Sequence, residues 1–505
     1  MAEEPRAACA GPNPRPTVLA CVVNLGCKVN RIESDWLEHE LREAGCELAG
    51  ERDADVVLIN TCAVTGEAEA KTRKAIRHAA GLPHRPLVCV TGCVANLFPQ
   101  QIAALGERVH VIADKGAIVR EALRLLRGGH ADGASAGPTG AGISPAEDAA
   151  PAGTPSVGAP EMPAAPTFPQ ASPGQTPSVR EAERGPAVAH GHEGDDVPET
   201  RLRRGVKVQD GCDNRCTYCI VWRARGPVRS TSLGQVERQV RAVLADGAGE
   251  VVLSGINLGR YRGADENGTP IDLPGLLRRV VALAGERAVV RASSIEPPDV
   301  TPELASALAE LRGRVCPHLH LPLQSGCDAT LERMGRAYDA AGFARTVEMV
   351  RSVLPELSLS TDVIVGFPGE TDEEFEQTLA FCRQMRFSKM HVFRYSARPD
   401  TPAAAMPDQV DPRVAQARSE RLRDLADELR AADAQARVGS VEPVLVERIG
   451  ADGGARGTTA SYHRALVAPA PGGAAPVAPG LAHALLESYD PRTRLLHARL
   501  VGPVA

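Results

Sequence analysis

Three cysteines stand close together near the middle of the chain, as Cys212, Cys216 and Cys219 in the run CDNRCTYC. Three thiolates at this spacing, in a protein of a reducing compartment, favour a soft metal site. Zinc is the alternative, but a closed structural zinc site needs four ligands, and no further Cys or His stands nearby in the sequence. Three ligands on an iron–sulfur cubane leave one iron without a protein ligand. The spacing therefore favours a catalytic iron–sulfur cluster over an electron-transfer centre.

Three other cysteines each follow an apolar, strand-like run in the first part of the chain. Cys27 follows VVNLG, Cys62 follows VLINT and Cys93 follows VCVTG. The carboxyl ends of parallel strands share one edge of a sheet, where ligands bind, so these thiols could meet in space. Gly26 and Gly92 directly precede two of them and allow a close backbone approach. From spacing alone, scattered buried cysteines are an equally good interpretation.

The elements that would position these cysteines fall into three segments of an α/β protein. Residues 15–127 alternate strand-like and helical patterns, which predicts a parallel sheet covered by helices. Residues 201–437 contain six strand-like runs separated by amphipathic stretches, which predicts an open (β/α)6 barrel with its site in the loops after the strands. Residues 438–505 predict a small β-rich domain with strands at Val441–Glu447, Leu481–Tyr489 and Leu495–Val501.

Charge is distributed unevenly along the chain. The net charge of the 505 residues is −6, which by itself argues against a nucleic-acid partner. Residues 131–200 carry a net charge of −8, and Ala, Pro and Gly fill more than half of these positions. We therefore interpret 128–200 as a disordered acidic linker. The other 435 residues sum to +2, which permits RNA binding.

Neither a secretory leader nor a run of 18 apolar residues is visible in the sequence. Together with thiols that suit ligands better than disulfides, this predicts a cytoplasmic protein without a membrane partner.

Motifs along nearly the whole chain resemble those of the radical S-adenosylmethionine methylthiotransferases. The motifs are NLGCKVNRIES, NTCAVTGEAEAKTRKAIR, TGCVANLFP, CDNRCTYCIVWRARGPVRS, VVLSGINLGRY, SSIEP, HLHLPLQSG, VGFPGET and FRYSARPDTPA. The last segment resembles the RNA-binding TRAM domain. Within the family, GCKVN resembles the branch that methylthiolates N6-threonylcarbamoyladenosine beside the tRNA anticodon. The isopentenyladenosine branch typically has GCQMN, and the ribosomal-protein branch has GCPKN.

This resemblance implies two 4Fe-4S clusters and S-adenosylmethionine as cofactors. Cys212, Cys216 and Cys219 would hold the cluster whose open iron binds S-adenosylmethionine and whose electron generates a 5′-deoxyadenosyl radical. Cys27, Cys62 and Cys93 would hold an auxiliary cluster that presents sulfur. A second S-adenosylmethionine would supply the methyl group, so that C2–H of the adenine becomes C2–SCH3.

Three further residues are candidates for contacts with the cofactor. Tyr218 could stack on the adenine of S-adenosylmethionine or pack in its loop. Gly255 could admit the methionine moiety, and Glu296 could bind polar groups of the cofactor or lie on the surface. We assign no acid or base, because hydrogen abstraction by a radical does not require one. Trp222, where relatives usually have Pro, and Cys327, where Ser is common, depart from the family pattern.

The expected partners are a tRNA substrate and an electron donor such as flavodoxin or ferredoxin, and the expected oligomeric state is a monomer. RNA contacts are predicted from basic residues near the cysteines and in the last domain. These are Arg201, Arg203, Arg204, Lys207, Arg223, Arg225, Arg229, Lys71, Arg73, Lys74, Arg77, Arg492, Arg494 and Arg499. The alternatives are a methylthiotransferase acting on isopentenyladenosine or on a ribosomal protein and, more remotely, a non-enzymatic iron–sulfur protein that binds RNA.

Overall fold

The computed structural model describes residues 17–63, 66–128, 202–450, 454–469 and 479–501. These residues belong to one compact unit. The predicted acidic linker, apart from its first residue, lies outside the described residues, as does Arg201. No helix in the described ranges is long and apolar enough to cross a membrane.

The first part of the chain is a five-stranded sheet with helices on both faces. Its strands are β1 Leu19–Leu25, β2 Glu47–Leu48, β3 Val56–Thr61, β4 Leu87–Gly92 and β5 Val109–Val111. Its helices are α1 Lys28–Glu43, α2 Gly66–Ala80, α3 Cys93–Leu97, α4 Pro99–Ala103 and α5 Ile118–Gly128. The strand order is β2-β1-β3-β4-β5 and every pairing is parallel, which confirms the predicted sheet. Strands β3 and β4 are buried along their whole length because helices cover both faces.

The middle part contains ten strands and eight helices. The strands are β6 Arg203–Lys207, β7 Gln209–Asp210, β8 Arg229–Ser230, β9 Glu250–Ser254, β10 Gly263–Ala264, β11 Pro270–Ile271, β12 Val289–Ala292, β13 His318–His320, β14 Ser358–Val365 and β15 Lys389–Arg394. The helices are α6 Val221–Arg225, α7 Leu233–Ala245, α8 Leu273–Ala284, α9 Pro302–Glu310, α10 Asp328–Arg333, α11 Ala340–Val353, α12 Asp372–Met385 and α13 Pro412–Ala436.

Six of these strands confirm the predicted open barrel. Strands β6, β9 and β12 form one parallel sheet, and β13, β14 and β15 form another. Two isolated parallel bridges, Val290 to Val315 and Ser294 to His320, connect the two sheets. Because these six strands pair only in parallel with one another, their carboxyl ends all lie at one end of the barrel.

Side chains alternate between the two faces of each barrel strand. Val251, Leu253 and Val290 belong to the large apolar core that also includes residues of the surrounding helices. Glu250 and Arg291, one position out of phase with them, form a buried ion pair of 2.7 Å. The inner face of the barrel therefore carries buried charges beside apolar residues such as Val252, whereas the outer face supplies the large core.

A turn from the last domain closes the end of the barrel where the strands begin. Tyr462 lies there among three cations, with Arg291, Lys389 and Arg203 at 4.6, 5.2 and 5.7 Å from its ring centroid. Arg203 is buried and also forms ion pairs of 3.1 Å with Glu250 and with Glu447. The prediction that Arg203 contacts RNA is therefore wrong, because its charge is used inside the protein.

The last part of the chain is a closed five-stranded barrel. Its strands are β16 Val441–Ile449, β17 Ala455–Thr459, β18 Arg464–Ala468, β19 Gly480–Asp490 and β20 Leu495–Leu500, in the order β16-β17-β18-β20-β19. The predicted β-rich domain is confirmed. It contains two strands, β17 and β18, that were not predicted from the sequence. Their sequences, ARGTT and RALVA, are too short and too poor in large apolar residues to stand out as strands.

Candidate active site

Cys212, Cys216 and Cys219 lie in the loop between β7 and α6, at the end of the barrel where the strands finish. The loop is fixed by backbone hydrogen bonds from Cys212 N to Gly226 O (3.1 Å) and from Cys219 N to Cys216 O (3.0 Å). Burial, together with the neighbouring thiols of Cys216 and Cys212, raises the pKa of Cys219 to about 12. The three thiols are thus close enough to interact electrostatically.

Arg336 contacts this loop and was not identified from the sequence. Its Nη1 donates to Cys216 Sγ at 3.0 Å and to the Tyr218 hydroxyl at 3.4 Å. Its Nη2 forms an ion pair with Glu296. These contacts place Tyr218 and Glu296 beside the cysteines, with Glu296 bound to Arg336 rather than lying on the surface. Burial raises the pKa of Glu296, and Arg336 partly offsets that increase.

A cavity of about 260 Å³ opens next to this group. It is lined by Cys216, Glu296, Arg336, Arg260, Asp299 and Tyr338, among others. The ring of Tyr218 packs edge-on against Phe367, with the centroids 6.3 Å apart, so Tyr218 has a packing role in its loop. Carboxylates and guanidinium groups line the same cavity, which could therefore bind a zwitterionic group.

The side chain of Gln209 lies so close to residue 255 that this position requires a glycine. A Cβ atom on Gly255 would lie 2.7 Å from Gln209 Oε1, which accepts a hydrogen bond of 2.7 Å from Asn257 N. Gln209 Nε2 in turn donates to the carbonyls of Asp210 and Gly211, directly before Cys212. Gly255 thus supports the cysteine loop by admitting the side chain that holds its first residues.

The other three cysteines lie at one edge of the first sheet. Leu25 pairs with Thr61, and Thr61 pairs with Gly92, so β1, β3 and β4 end at the same level. Cys27, Cys62 and Cys93 follow these strands by two, one and one residues. None of the twelve described cysteines forms a disulfide.

Asn30 connects the cysteine edge of this sheet to the barrel. Cys27 Sγ lies 3.3 Å from Asn30 Oδ1, and Asn30 Nδ2 donates to Thr61 O at 2.8 Å. Arg225, on barrel helix α6, donates from Nη2 to the same Asn30 Oδ1 at 2.9 Å. The Arg225 guanidinium is also near Cys93. One arginine of the barrel thus touches the surroundings of two of the three cysteines.

Comparison with known proteins places this arrangement in a family. Residues 206–382 match the Radical SAM superfamily, and residues 20–114 match the Uncharacterized protein family UPF0004. The threonylcarbamoyladenosine tRNA methylthiotransferase of Bacillus subtilis is 35% identical over 411 residues, covering 80% of this chain and 79% of the relative. A tRNA-2-methylthio-N(6)-dimethylallyladenosine synthase of a Parafrankia species is 34% identical, covering 86% and 79%. The ribosomal protein uS12 methylthiotransferase of Desulforudis audaxviator is 31% identical, covering 84% of each.

The chain belongs to the radical S-adenosylmethionine methylthiotransferase family. The family predicted from the cysteine motifs is confirmed, and with it an enzyme that uses S-adenosylmethionine and a 4Fe-4S cluster. Cys212, Cys216 and Cys219 fit the ligation of that cluster, because three thiols share one short loop and binding to iron would remove the protons that burial otherwise retains.

Charged residues join the two parts of this methylthiotransferase at a second cavity, of about 430 Å³. Glu33 of α1 forms ion pairs with Arg225 (2.9 Å), Lys207 (2.8 Å) and Lys115. Burial would raise the pKa of Glu33, but the three cations outweigh it and hold the pKa well below its usual value. Arg225 also pairs with Asp210 at 3.0 Å. The cavity is lined by Gly92, Cys93, Lys115, Lys207, Asp210, Arg225 and Arg229, among others.

Arg225 is buried within this network, and Lys207 is paired on two sides. The prediction that Arg225 contacts RNA is therefore wrong, and Lys207 is engaged in the same internal contacts. Neither Glu33 nor Asp210 was identified from the sequence. The sequence signal for Glu33 was its place in the motif NLGCKVNRIES, and the signal for Asp210 was its place just before the cluster loop.

Several other predicted RNA-contact residues are accessible. Lys71, Lys74 and Arg77 are exposed along α2, and Arg492 is exposed in the last domain. Arg494 and Arg499 are paired there with Asp427 and Glu487, at 2.8 and 2.6 Å.

The two departures from the family pattern also have defined places. The Arg215 guanidinium lies 4.4 Å from the ring centroid of Trp222, so the ring packs on the cluster loop. Cys327 is buried just before α10, where its backbone N–H donates to Ser325 Oγ at 3.2 Å.

Replacing Gly92 with Ala should destabilise the enzyme more than the same change at Gly45. Both glycines have positive φ, +96° and +82°, which costs a non-glycine residue about 1–2 kcal/mol. At Gly92 a Cβ atom would also lie 2.4 Å from Thr61 O, whereas nothing lies within 4 Å at Gly45. The clash adds about 1–3 kcal/mol. Urea unfolding measures both losses, and equal losses would contradict the close approach.

Proposed function

We propose that this enzyme methylthiolates N6-threonylcarbamoyladenosine next to the anticodon of tRNA, giving the 2-methylthio derivative. The observation that supports this reaction is the placement of two cysteine trios on two domains that the ion pair of Glu33 and Arg225 holds together. The GCKVN motif around Cys27 and the Bacillus relative, which is named for this substrate, support the choice of base.

We further propose that Cys27, Cys62 and Cys93 hold a second 4Fe-4S cluster. Their strands end in register, so the three thiols lie along one sheet edge. When bound, the two clusters and S-adenosylmethionine supply the radical and sulfur chemistry. The chain's own residues hold the reactants, and Asn30 and Arg225 fix the Cys27 loop against the barrel.

S-adenosylmethionine is proposed to occupy the cavity beside Cys216. Arg336 and Arg260 could bind its carboxylate there, and Glu296 and Asp299 its ammonium group. Arg336 also donates to Cys216 Sγ, so the residue that would hold the cofactor contacts a cysteine of the cluster loop. The pairing of charges would orient the cofactor without a titrating acid or base.

The tRNA is proposed to approach across the exposed basic residues of α2 and of the last domain, Lys71, Lys74, Arg77 and Arg492. In this proposal a flavodoxin or ferredoxin supplies electrons, and the enzyme acts as a cytoplasmic monomer.

Mass spectrometry of tRNA nucleosides from a deletion strain tests this function. We expect 2-methylthio-N6-threonylcarbamoyladenosine to disappear and its unmethylthiolated precursor to accumulate. Loss of the methylthiolated isopentenyladenosine instead, or of the modification on ribosomal protein uS12, would assign the enzyme to the branches of the other two relatives. Persistence of all three, in a strain without a second such enzyme, would contradict the proposal.

A further inference from the structure

A chain of hydrogen-bonded side chains runs along the inner face of the barrel on β13, β14 and β15. Ser360 Oγ contacts His318 Nε2 at 2.9 Å and His320 Nδ1 at 3.0 Å. Asp362 then contacts His320 Nε2 at 3.3 Å and His391 Nδ1 at 3.0 Å. The exposed fraction of the side chain rises from 12% at His320 to 30% at Asp362 and 43% at His391. This row of side chains thus begins at the buried His318 and ends at the accessible imidazole of His391.

The buried end fixes the direction of the hydrogen bonds. Burial, together with Arg291, holds the pKa of His318 well below its usual value, so its ring is neutral and carries one N–H. Nδ1 of His318 has no hydrogen-bond partner among the described residues. With Arg291 and Lys389 acting on the ring, an unpartnered acceptor at Nδ1 is easier to tolerate than an orphaned N–H there, so the proton belongs on Nε2, where it is donated to Ser360.

The direction then propagates outward. The ionised Asp362 carboxylate can only accept, so a neutral His320 donates from Nε2–H to Asp362 and accepts at Nδ1. The Ser360 hydroxyl, which accepts from His318, donates to this Nδ1 at 3.0 Å, closer than its 3.4 Å contact with Leu319 O. Asp362 accepts a second hydrogen bond from His391 Nδ1–H. A neutral His391 therefore carries its lone pair on Nε2, the outer nitrogen. In this neutral form His391 presents a hydrogen-bond acceptor that the Asp362 carboxylate holds in orientation.

His320, in the middle of this row of side chains, lies close to a residue of the proposed cofactor cavity, because its ring acts electrostatically on Glu296. His320 ends β13 and its backbone oxygen accepts from Ile295 N at 3.0 Å, one residue before Glu296. Glu296 lines the cavity beside Cys216. The base to be modified must come close to that cavity, so a group attached to it could reach the inner face of β13, β14 and β15.

We propose that His391 accepts a hydrogen bond from the polar substituent on N6 of the substrate adenosine, an O–H or N–H donor. This inference rests on the proposed function and identifies a specificity-determining residue for it. A hydrocarbon substituent offers no such donor from its side chain and would leave His391 without its partner, which disfavours that substrate.

The test compares the affinity of the reconstituted enzyme for two tRNAs that differ only in whether adenosine carries the threonylcarbamoyl group. We expect the wild type to bind the modified tRNA roughly tenfold more tightly, and His391→Leu to lose most of that preference. Phosphate contacts are common to both tRNAs, so a general structural defect would lower both affinities and leave their ratio unchanged. His39→Leu is the control, since His39 is also 43% exposed and paired with a carboxylate, but lies on α1.

Three results would overturn the inference: a wild-type ratio near one, an unchanged ratio in His391→Leu, or a loss of the ratio in His39→Leu as well. A fourth would be one equivalent of zinc bound by the wild type and not by His391→Leu, because the ligand atoms of His320, Asp362 and His391 lie within 4.8 Å of one another and would then form a metal site. Failure of the proposed function is separate: the wild type would then not methylthiolate the threonylcarbamoyl tRNA at all.

Discussion

Cys212→Ala is expected to abolish cleavage of S-adenosylmethionine, whereas Cys27→Ala should retain part of that cleavage and lose sulfur insertion. The two cysteines lie on different domains and have different surroundings. Cys212 shares its loop with Cys216, which contacts Arg336 and the cavity proposed for the cofactor. Cys27 contacts Asn30 at the edge of the first sheet.

Anaerobic reconstitution followed by iron analysis and chromatography measures this division of roles. Each substitution should remove about four irons, the content of one 4Fe-4S cluster. The yield of 5′-deoxyadenosine reports cleavage, and the methylthiolated nucleoside reports sulfur insertion. Cys21→Ala is a matched control on β1, because Cys21 belongs to neither trio, and it should keep both clusters and both activities. Equal loss of cleavage in Cys212→Ala and Cys27→Ala would show that the two trios do not have separate roles.

The positions of the six cysteines could be predicted from sequence because each trio depends on local features. Cys27, Cys62 and Cys93 directly follow apolar runs, and parallel pairing then brings the strand ends to one edge. Cys212, Cys216 and Cys219 are so close in sequence that a single loop must contain them. For Cys27, Cys62 and Cys93 the strand pattern alone fitted scattered buried cysteines equally well, and the family motifs were needed to group them.

The roles of the charged residues could not be predicted in the same way. Arg225 and its partner Glu33 are 192 residues apart, and Arg203 and Glu250 are 47 apart. A count of basic residues near the cysteines does not distinguish an arginine that faces RNA from one buried against a distant carboxylate. Only the packing of α1 against the barrel shows that Arg225 and Lys207 meet Glu33 inside the protein.

The same packing leads to the second large effect: Glu33→Gln should destabilise the contact between the two domains by about 3–5 kcal/mol. Breaking a buried ion pair by neutralising one partner leaves the other charges buried without compensation. Here Lys115, Lys207 and Arg225 would remain, with Asp210 as the nearby carboxylate. Glutamine keeps the size of the side chain, so the loss reports the charge.

The fluorescence of the two tryptophans of the chain can measure the loss of stability in Glu33→Gln. Trp36 lies on α1 and Trp222 on α6, the helices that Glu33 and Arg225 join, so their fluorescence should report separation of these helices during urea unfolding. The control is Glu43→Gln on the same helix, where the side chain is 69% exposed and a change within about 0.5 kcal/mol is expected. Adding Lys115→Met to Glu33→Gln should recover part of the loss, because it removes one of the uncompensated cations. Additive losses in the double variant would contradict this account.

The pH dependence of stability gives an independent check on the direction of the Glu33 pKa shift. The cations hold the pKa of Glu33 below its usual value of 4.5 in the folded enzyme, so the folded state favours the ionised form. The resulting stabilisation is fully present above pH 4.5 and is lost as the pH falls below that value, when the unfolded chain takes up the proton first. Glu33→Gln has no such proton to gain. The difference in stability between the wild type and Glu33→Gln should therefore be constant above this pH and shrink below it. A difference that grew on acidification would mean that Glu33 is stabilised in its protonated form, and that the three cations do not hold the domains together through its charge.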